Sequence, residues 1–345
     1  KDEYPTQIVE GMKELGLFGL TIPEEYGGLG GDYLTYVLGM EELGRADSAL
    51  RGIVSVSNGL FGKSVLGFGT EEQKQKWLPR MARGEVIGCF GLTEPDVGSD
   101  PGRMRSFARR DGDDWVLSGT KMWITNGSVA DLAIVWARTD DGIRGFLVPT
   151  ETPGFSANDV HRKLSLRASV TSELVLNEVR LPADAVLPGV SGLKGPLSCL
   201  SEARFGIVWG SMGAARACFD SALAYATTRV QWGKPIAGFQ LTQRKLADMA
   251  VELNKGTLLA LHLGRMKDEG RLAPQHVSMG KLNNVREALE IAREARTILG
   301  ASGITLEYPV IRHMNNLESV LTYEGTTEIH TLILGEALTG LRAYE

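Results

Sequence analysis

Apolar residues along this chain change their period twice, and that limits the fold more than any other feature. Up to about residue 87 they recur at helical spacing, as in Ile8, Met12, Leu15 and Leu20. The turn cluster Tyr26-Gly27-Gly28-Leu29-Gly30-Gly31 separates two helical stretches. Thr70 stands as a helix cap with Gln73 at the capping-box position, and Gly84 ends the helix carrying Trp77 and Leu78. From about 86 to 190 the period is two: residues 86–90, 114–117, 132–136 and 174–176 are short β-rich runs, punctuated by Asp111-Gly112, Ser118-Gly119, Asn126-Gly127 and Asp141-Gly142. Strands so close together, with no helical pattern between them, predict an antiparallel barrel or sandwich and exclude a Rossmann unit. From about 195 the helical period returns over 200–229, 240–269, 274–300 and 324–343, which predicts an antiparallel four-helix bundle. The expected fold is a multi-domain α+β chain. Its parts are an N-terminal helical domain (1–87), a middle antiparallel β-barrel or sandwich (88–190) and a C-terminal bundle (191–345).

Composition removes several functions. Lys and Arg total 37 against 42 Asp and Glu, a net charge of −5, which argues against nucleic acid as the main partner. No run approaches 18 apolar residues, so no transmembrane helix is expected. Three cysteines (Cys89, Cys199, Cys218) without a CxxC exclude a disulfide framework and a thiolate zinc site, and suggest a reducing compartment. The start Lys1-Asp2-Glu3-Tyr4-Pro5 shows no targeting segment. The five histidines (161, 262, 276, 313, 330) lack HxxxH spacing, so no metal site is expected. There is no GxGxxG, and Gly62-Lys63-Ser64 lacks the first P-loop glycine because Ser57 stands there.

Three segments carry chemistry. The loop from Phe90 to Asp100, FGLTEPDVGSD, follows a β run and offers hydroxyls and backbone donors to the polar edge of a planar ligand or to an anion. Lys121-Met122-Trp123-Ile124-Thr125-Asn126 sets an aromatic and a hydroxyl beside a turn, although Trp123 alone reads as core. In Thr322-Tyr323-Glu324-Gly325-Thr326, Glu324 follows an apolar-aromatic stretch at the mouth of a predicted helix. It is either a partly desolvated general base or a first-turn glutamate favoured by the helix dipole.

In this order, the three segments closely resemble the acyl-CoA dehydrogenase family over residues 5–345. CFGLTEP, ADLAIVWAR, IRGFLVP, KLSLRAS and VIRHMNNLE resemble its glutaryl-CoA branch most. The resemblance implies an FAD enzyme that oxidises an acyl-CoA at its α,β bond, with Glu324 as catalytic base. Phe90, Leu92, Thr93, Gly98 and Ser99 would line the flavin, Thr93 at the pyrimidine edge and Ser99 where flavin and acyl-CoA meet. Trp123 would cover one flavin face, with Ile124 and Thr125 at the ring. Arg229 and Gln240 match positions that hold a neighbouring subunit's FAD, and Thr297, Leu299, Gly300, Ala301, Thr326 and Glu328 match other FAD contacts. Arg204 matches a contact to the CoA part of the substrate, with Tyr323 and Gly325 also at the substrate.

Arg51 sets the expected substrate class. On its own it reads as a surface arginine, but in the glutaryl-CoA branch this position pairs with the distal carboxylate of the substrate. Decarboxylating members carry Glu seven residues earlier and Ser just after; here Gly44 and Gly52 stand in those places. The resemblance further implies a homo-oligomer, typically a tetramer, that passes electrons to electron-transfer flavoprotein. The expected location is bacterial cytoplasm, or mitochondrial matrix in a eukaryote. Against the family outline the chain is short by about one N-terminal helix. A non-decarboxylating dehydrogenase of another acyl-CoA and a flavin-free acyl-CoA-binding scaffold are the competing readings.

Overall fold

The computed structural model describes residues 3–343; Lys1 and Asp2, read above for a targeting segment, lie outside them. The chain forms two compact units. One holds the residues up to Tyr36, Gly52–Lys163 and Arg167–Ala203; the other holds Val37–Arg51, Leu164–Leu166 and the chain from Arg204 onward.

Helices come first: α1 (Thr6–Glu14), α2 (Tyr33–Ala46), α3 (Ser48–Ser55), α4 (Lys63–Phe68) and α5 (Glu71–Ala82). α1 buries Val9 and Met12, while Ile8 and Leu15 of the expected stripe are 51% and 73% exposed. A nine-residue helix presents one narrow inner face, and Leu15 lies past its last turn. The capping box at α5 forms as expected: the Gln73 N–H donates to Thr70 Oγ1 (3.1 Å) and the Thr70 N–H to Gln73 Oε1 (2.9 Å). Between α3 and α4 the chain widens into a π-helical turn, Val56–Gly62, buried throughout. Such turns often mark functional segments.

The strands β1 (Gly88–Gly91), β2 (Phe107–Asp111), β3 (Asp114–Thr125), β4 (Leu132–Thr139), β5 (Gly142–Pro149), β6 (Phe155–Asp159) and β7 (Thr171–Leu181) make one sheet in the order β1-β4-β2-β3-β7-β6, with β5 on β4. The hairpins β2–β3, β4–β5 and β6–β7, and the pair β3–β7, are antiparallel. β1 lies parallel to β4, and Phe107 of β2 meets Arg138 of β4 in parallel, so the sheet is mixed rather than purely antiparallel. The chain leaves β1 through a long loop and completes the β2–β3 hairpin before β4 returns beside β1, which leaves room for parallel pairing. β4 is buried on both faces. Leu132, Ile134 and Trp136 pack with Phe61, Val65 and Leu78 of the helices, and Ala133 and Val135 pack with Leu117, Phe146 and Leu174 inside the sheet.

The second unit is helical: the larger part of α6 (Lys194–Thr228), then α7 (Gln240–Asp268), α8 (Pro274–Ile298), α9 (Val310–Thr322) and α10 (Thr327–Thr339). A short ribbon, β8 (Val230–Gln231) with β9 (Lys234–Pro235), links α6 to α7. The first three expected helices are in place. The last, expected over 324–343, begins at Thr327, and α9 is a further helix beyond the four expected. Its inward face reads Val310, His313, Asn316, Leu317 and Val320, and the helical spacing of Val310, Met314, Leu317 and Leu321 is the signal that marks it in the sequence. The core is small-residue rich: Ala214, Ala215, Ala222 and Ala226 of α6 face Leu253, Ala288, Ala292 and Leu317. Asn284 on α8 donates through Nδ2 to Val208 O (3.0 Å) and Gly256 O (2.9 Å), tying three helices together. Among the described residues no helix is long and apolar enough to cross a membrane, and no cluster of metal-ligating side chains occurs.

His313 is fully buried and neither ring nitrogen has a partner. Burial, reinforced by Arg312 and opposed by Asp47, presses its pKa from 6.5 down to about 4. The unfolded chain therefore takes up a proton that the folded chain refuses, and stability is lost as pH falls from 6.5 toward about 4. His313→Leu is expected to flatten the pH dependence of the unfolding free energy across that window by about one proton. Urea denaturation at stepped pH checks this, with an unchanged slope as the contrary result.

Candidate active site

α9 ends and α10 begins within four residues, and Glu324 sits in that link. Tyr323 closes α9, and Thr326 caps α10, its Oγ1 accepting from the Ile329 N–H at 3.4 Å. Glu324 lies outside the helix and has φ +54°, a left-handed conformation that non-glycine residues rarely adopt. The first-turn glutamate of α10 is Glu328 instead, exposed and held below its ordinary pKa by hydrogen bonds from its own amide and Thr326. That removes the dipole explanation for Glu324. Gly325 follows at φ +96°, where a Cβ would meet His330 Nε2 at 2.8 Å, so both conformation and space call for glycine.

Cations hold this link by its backbone. Lys281 Nζ on α8 donates to Tyr323 O and, at 2.6 Å, to Gly325 O; Arg204 Nε on α6 donates to Glu324 O at 2.7 Å. Arg51 Nη2 on α3 donates to the Tyr323 hydroxyl. The Glu324 side chain is left without a hydrogen bond among the described residues, and its Oε2 is sealed from solvent although the residue as a whole is half-buried. Burial pushes the carboxyl above its ordinary range, against the opposing pull of Arg51, Lys281 and Arg204. Burial likewise pushes the Tyr323 hydroxyl up to about 12, so it stays protonated. The result is a carboxylate with free lone pairs and a raised affinity for a proton, which suits a general base.

Arg51 is no surface arginine. It is 2% exposed, its Nη1 has no partner, and it lies 5.7 Å from the Tyr323 ring. The start of its helix is fixed by Asp47, which accepts from the Ala49 N–H (2.8 Å), from Asn316 Nδ2 (2.8 Å) and from Arg312 on α9. α9 thus carries Tyr323 at one end and grips the Arg51 helix along its side. Gly44 on α2 has a structural reason: a Cβ there would run into the Gly210 carbonyl of α6, so no side chain fits. Around Gly52, apart from its chain neighbours and the backbone of its own helix, no atom lies within 4 Å of the position a Cβ would take.

The first unit brings together the other two segments. The loop after β1 is pinned to β3 by the Met122 N–H donating to Thr93 O (2.8 Å). A buried pair sits beneath it: Lys121 Nζ donates to Glu94 Oε1 (2.8 Å) and Leu92 O (3.2 Å), and Glu94 also accepts from the Arg105 and Ser106 amides (2.6 and 2.9 Å). Burial opposes the charge on Glu94, but these donors outweigh it and hold the carboxyl below its ordinary value. With Phe90, Leu92 and Val97 turned inward, Gly98 and Ser99 are exposed and Thr93 half-buried. The β3–β7 register shifts between Lys121 and Ile124, and Trp123 in that bulge has φ +63° and is 59% exposed. Taken alone it reads as core; the bulge turns it out. Ile124 stays buried and Thr125 half-buried.

The remaining expected contacts are spread over the second unit. Gln240 and Thr297 line an open cleft of about 830 Å³ with Trp232, Phe239 and Lys245. Arg229, Gly300 and Ala301 are exposed but do not line it, and the Leu299 side chain is committed to the bundle core, leaving only its backbone for a ligand. Arg204, expected at CoA, spends its Nε on Glu324 O. The reading of the sequence missed Lys281 and Glu94. Lys281 left one signal, a lysine between Val277 and Val285 on a buried helical stripe.

The chain matches the acyl-CoA dehydrogenase N-terminal domain over residues 1–85, the middle domain over 89–179 and the C-terminal domain over 191–339. It is similar to the glutaryl-CoA dehydrogenase of Mycobacterium smegmatis, 63% identical with a TM-score of 0.98, covering 100% of this chain and 89% of that one. A second structure of a glutaryl-CoA dehydrogenase from that organism, in complex with FADH2, is 60% identical with a TM-score of 0.97, over 99% and 88% of the two chains. The mitochondrial short-chain specific acyl-CoA dehydrogenase of Bos taurus is 41% identical over 99% of this chain and 84% of its own length.

The Lys121–Glu94 pair gives a stability test. Lys121→Met strands a buried carboxylate and is expected to destabilise the protein by about 3–5 kcal/mol. Adding Glu94→Gln should recover part of that loss in urea denaturation, and purely additive effects would contradict the pairing.

Proposed function

The chain belongs to the acyl-CoA dehydrogenase family, and from that premise we propose that it is an FAD-dependent dehydrogenase of glutaryl-CoA or a closely similar dicarboxylyl-CoA. The observation that carries the substrate class is Arg51, a buried cation with an unpartnered Nη1, one hydrogen bond away from the residue preceding the base. A buried guanidinium with an idle donor suits a carboxylate, which it can bind through two parallel hydrogen bonds. A site for a chain ending in methyl would leave that charge uncompensated.

The residues present fit a flavin. Trp123 is an exposed ring held in a strained bulge, and strain of this kind persists where the surroundings impose it and often serves a site. Thr93, Ser99, Trp123, Ile124 and Thr125 would hold the isoalloxazine, and Gln240 in the open cleft of the second unit would hold a neighbouring subunit's FAD, with Thr297 beside it as a further FAD contact. When bound, FAD supplies at N5 the acceptor for the hydride that leaves the substrate β-carbon.

Glu324 does the proton chemistry. Its carboxylate takes the α-proton of the thioester and becomes the neutral acid, a form that burial already favours. The hydroxyl of Tyr323, fixed by Arg51, stays protonated, so the link beside the base adds no second anion. For glutaryl-CoA, CO2 can then leave from the distal carboxylate, its electron pair passing into the conjugated thioester, and the proton on Glu324 can return to the γ-carbon to give crotonyl-CoA. Gly44 favours a second reading in which the reaction stops at the unsaturated dicarboxylyl-CoA. The polar group that decarboxylating relatives carry there has no room here.

Electrons would pass onward to electron-transfer flavoprotein. The chain would work as a homo-oligomer, a tetramer in our reading, supported by large exposed apolar side chains on the second unit such as Trp232 (88%), Leu241 (76%) and Leu338 (85%).

Glu324→Gln is expected to lower turnover by at least ~10²–10⁴-fold while flavin content stays normal; substantial activity would remove the base. Arg51→Ala should raise KM and lower kcat for glutaryl-CoA far more than for butyryl-CoA, and equal losses on both would remove the dicarboxylate reading. Product masses decide between crotonyl-CoA and glutaconyl-CoA.

A further inference from the structure

Lys281 has no part in the chemistry above, yet it is 2% exposed in the middle of a helix that otherwise turns Val277, Val285 and Ala288 to the core. Among the described residues it forms no ion pair with a carboxylate. Its ammonium instead bridges two carbonyls, those of Tyr323 and Gly325, one on each side of Glu324. We propose that Lys281 is a positioning residue for the base: it fixes the backbone on both sides of Glu324, and its buried charge keeps that carboxylate ionised and ready. This rests on Glu324 being the base.

The backbone geometry carries the first half. A left-handed glutamate costs about 1–2 kcal/mol relative to ordinary backbone and survives only where neighbours over-determine it. Here the carbonyls of residues 323, 324 and 325 are each taken by a cation, two by Lys281 and one by Arg204. Without Lys281 two of these carbonyls lose their donor, and the link can relax toward other conformations.

Charge carries the second half. Burial favours the protonated form of Glu324, and three cations oppose it. Arg51 is the one that a substrate carboxylate would engage, so its pull on Glu324 weakens when substrate arrives. Arg204 and Lys281 remain. The other groups facing Lys281 add no anion. The Tyr323 ring lies 5.8 Å away with its hydroxyl protonated. His330 on α10, with Nδ1 on Ser278 Oγ (3.0 Å), is pressed by burial down to about 3 and stays neutral. Burial presses Lys281 itself down to about 7, so its charge and that of Glu324 sustain each other. Once Glu324 has taken the substrate proton, Lys281 loses the one anion that favours its own charge.

The test uses the FAD-loaded enzyme and Lys281→Met, which keeps the shape and removes charge and donors. The Glu324 carboxyl band, identified by its absence in Glu324→Gln, is followed against pH by infrared difference spectroscopy, a readout that needs no turnover. We expect the midpoint to rise by about 1 pH unit or more in Lys281→Met. The acid limb of kcat/KM should move with it, while the Kd for glutaryl-CoA stays within about twofold. A midpoint equal to wild type overturns the role of Lys281. Should Lys281→Met fail to fold, Lys281→Gln keeps N–H donors without the charge, and a wild-type midpoint there overturns the role equally. The two readings fail separately: an active Glu324→Gln removes the base, whereas an inactive Glu324→Gln beside an unshifted Lys281 variant removes only Lys281.

Discussion

The bonds from Lys281 and Arg204 to three consecutive carbonyls are the interaction on which the site depends. A buried carboxylate is costly, and so is a buried ammonium; each is tolerable here because the other is close and because backbone oxygens satisfy the cations directly. Had Lys281 paired with Glu324 through a hydrogen bond, the carboxylate would be stabilised and occupied at once. By bonding the flanking carbonyls, the cation lends its field and leaves both oxygens of the base available. The position also suits helix electrostatics, since the link follows the C-terminus of α9, where carbonyls lack partners and positive charge is favoured.

The frame around this link is built to resist displacement. Asp47 joins the start of the Arg51 helix to Arg312 and Asn316 on α9, and Asn316 Oδ1 in turn accepts from the Leu166 N–H at 2.7 Å. Residues far apart in sequence therefore meet on one helix that ends at Tyr323. A base displaced by about 1 Å can lose on the order of 10² in rate, which explains why so many polar contacts are spent away from the reacting atoms.

Much of this could be read from the residues, and the failures have physical causes. Period marks segments of β1, β3, β4 and β7 and the three long helices, but not β2, β5 or β6; β2 and β6 bury too few side chains to show an alternation. α9 carries its own helical signal in Val310, Met314, Leu317 and Leu321, but His313 and Asn316, which also face inward, are not legible as core from an apolar pattern. Glu324 could be singled out because a carboxylate next to glycine after an aromatic stretch is unusual, but its place outside the helix depends on where Thr326 caps. Trp123 read on its own suggests core because a strand pattern assumes strict alternation, whereas a single bulged residue turns the following side chains to the opposite face. Lys281 and Glu94 were hidden for another reason. A buried charge makes sense only with its partner, and those partners lie 42 residues away for Tyr323 and 27 for Lys121.

The contact of Gly44 with the Gly210 carbonyl has a consequence for how this protein could diversify. Two helices that touch backbone to backbone leave no intermediate substitution: alanine at 44 already collides, so the path to a longer polar side chain is closed at its first step. Position 52 has open space where its Cβ would lie and can take serine or threonine one mutation at a time. In this chain, variation beside Arg51 is thus accessible from one direction only, at 52 and not at 44.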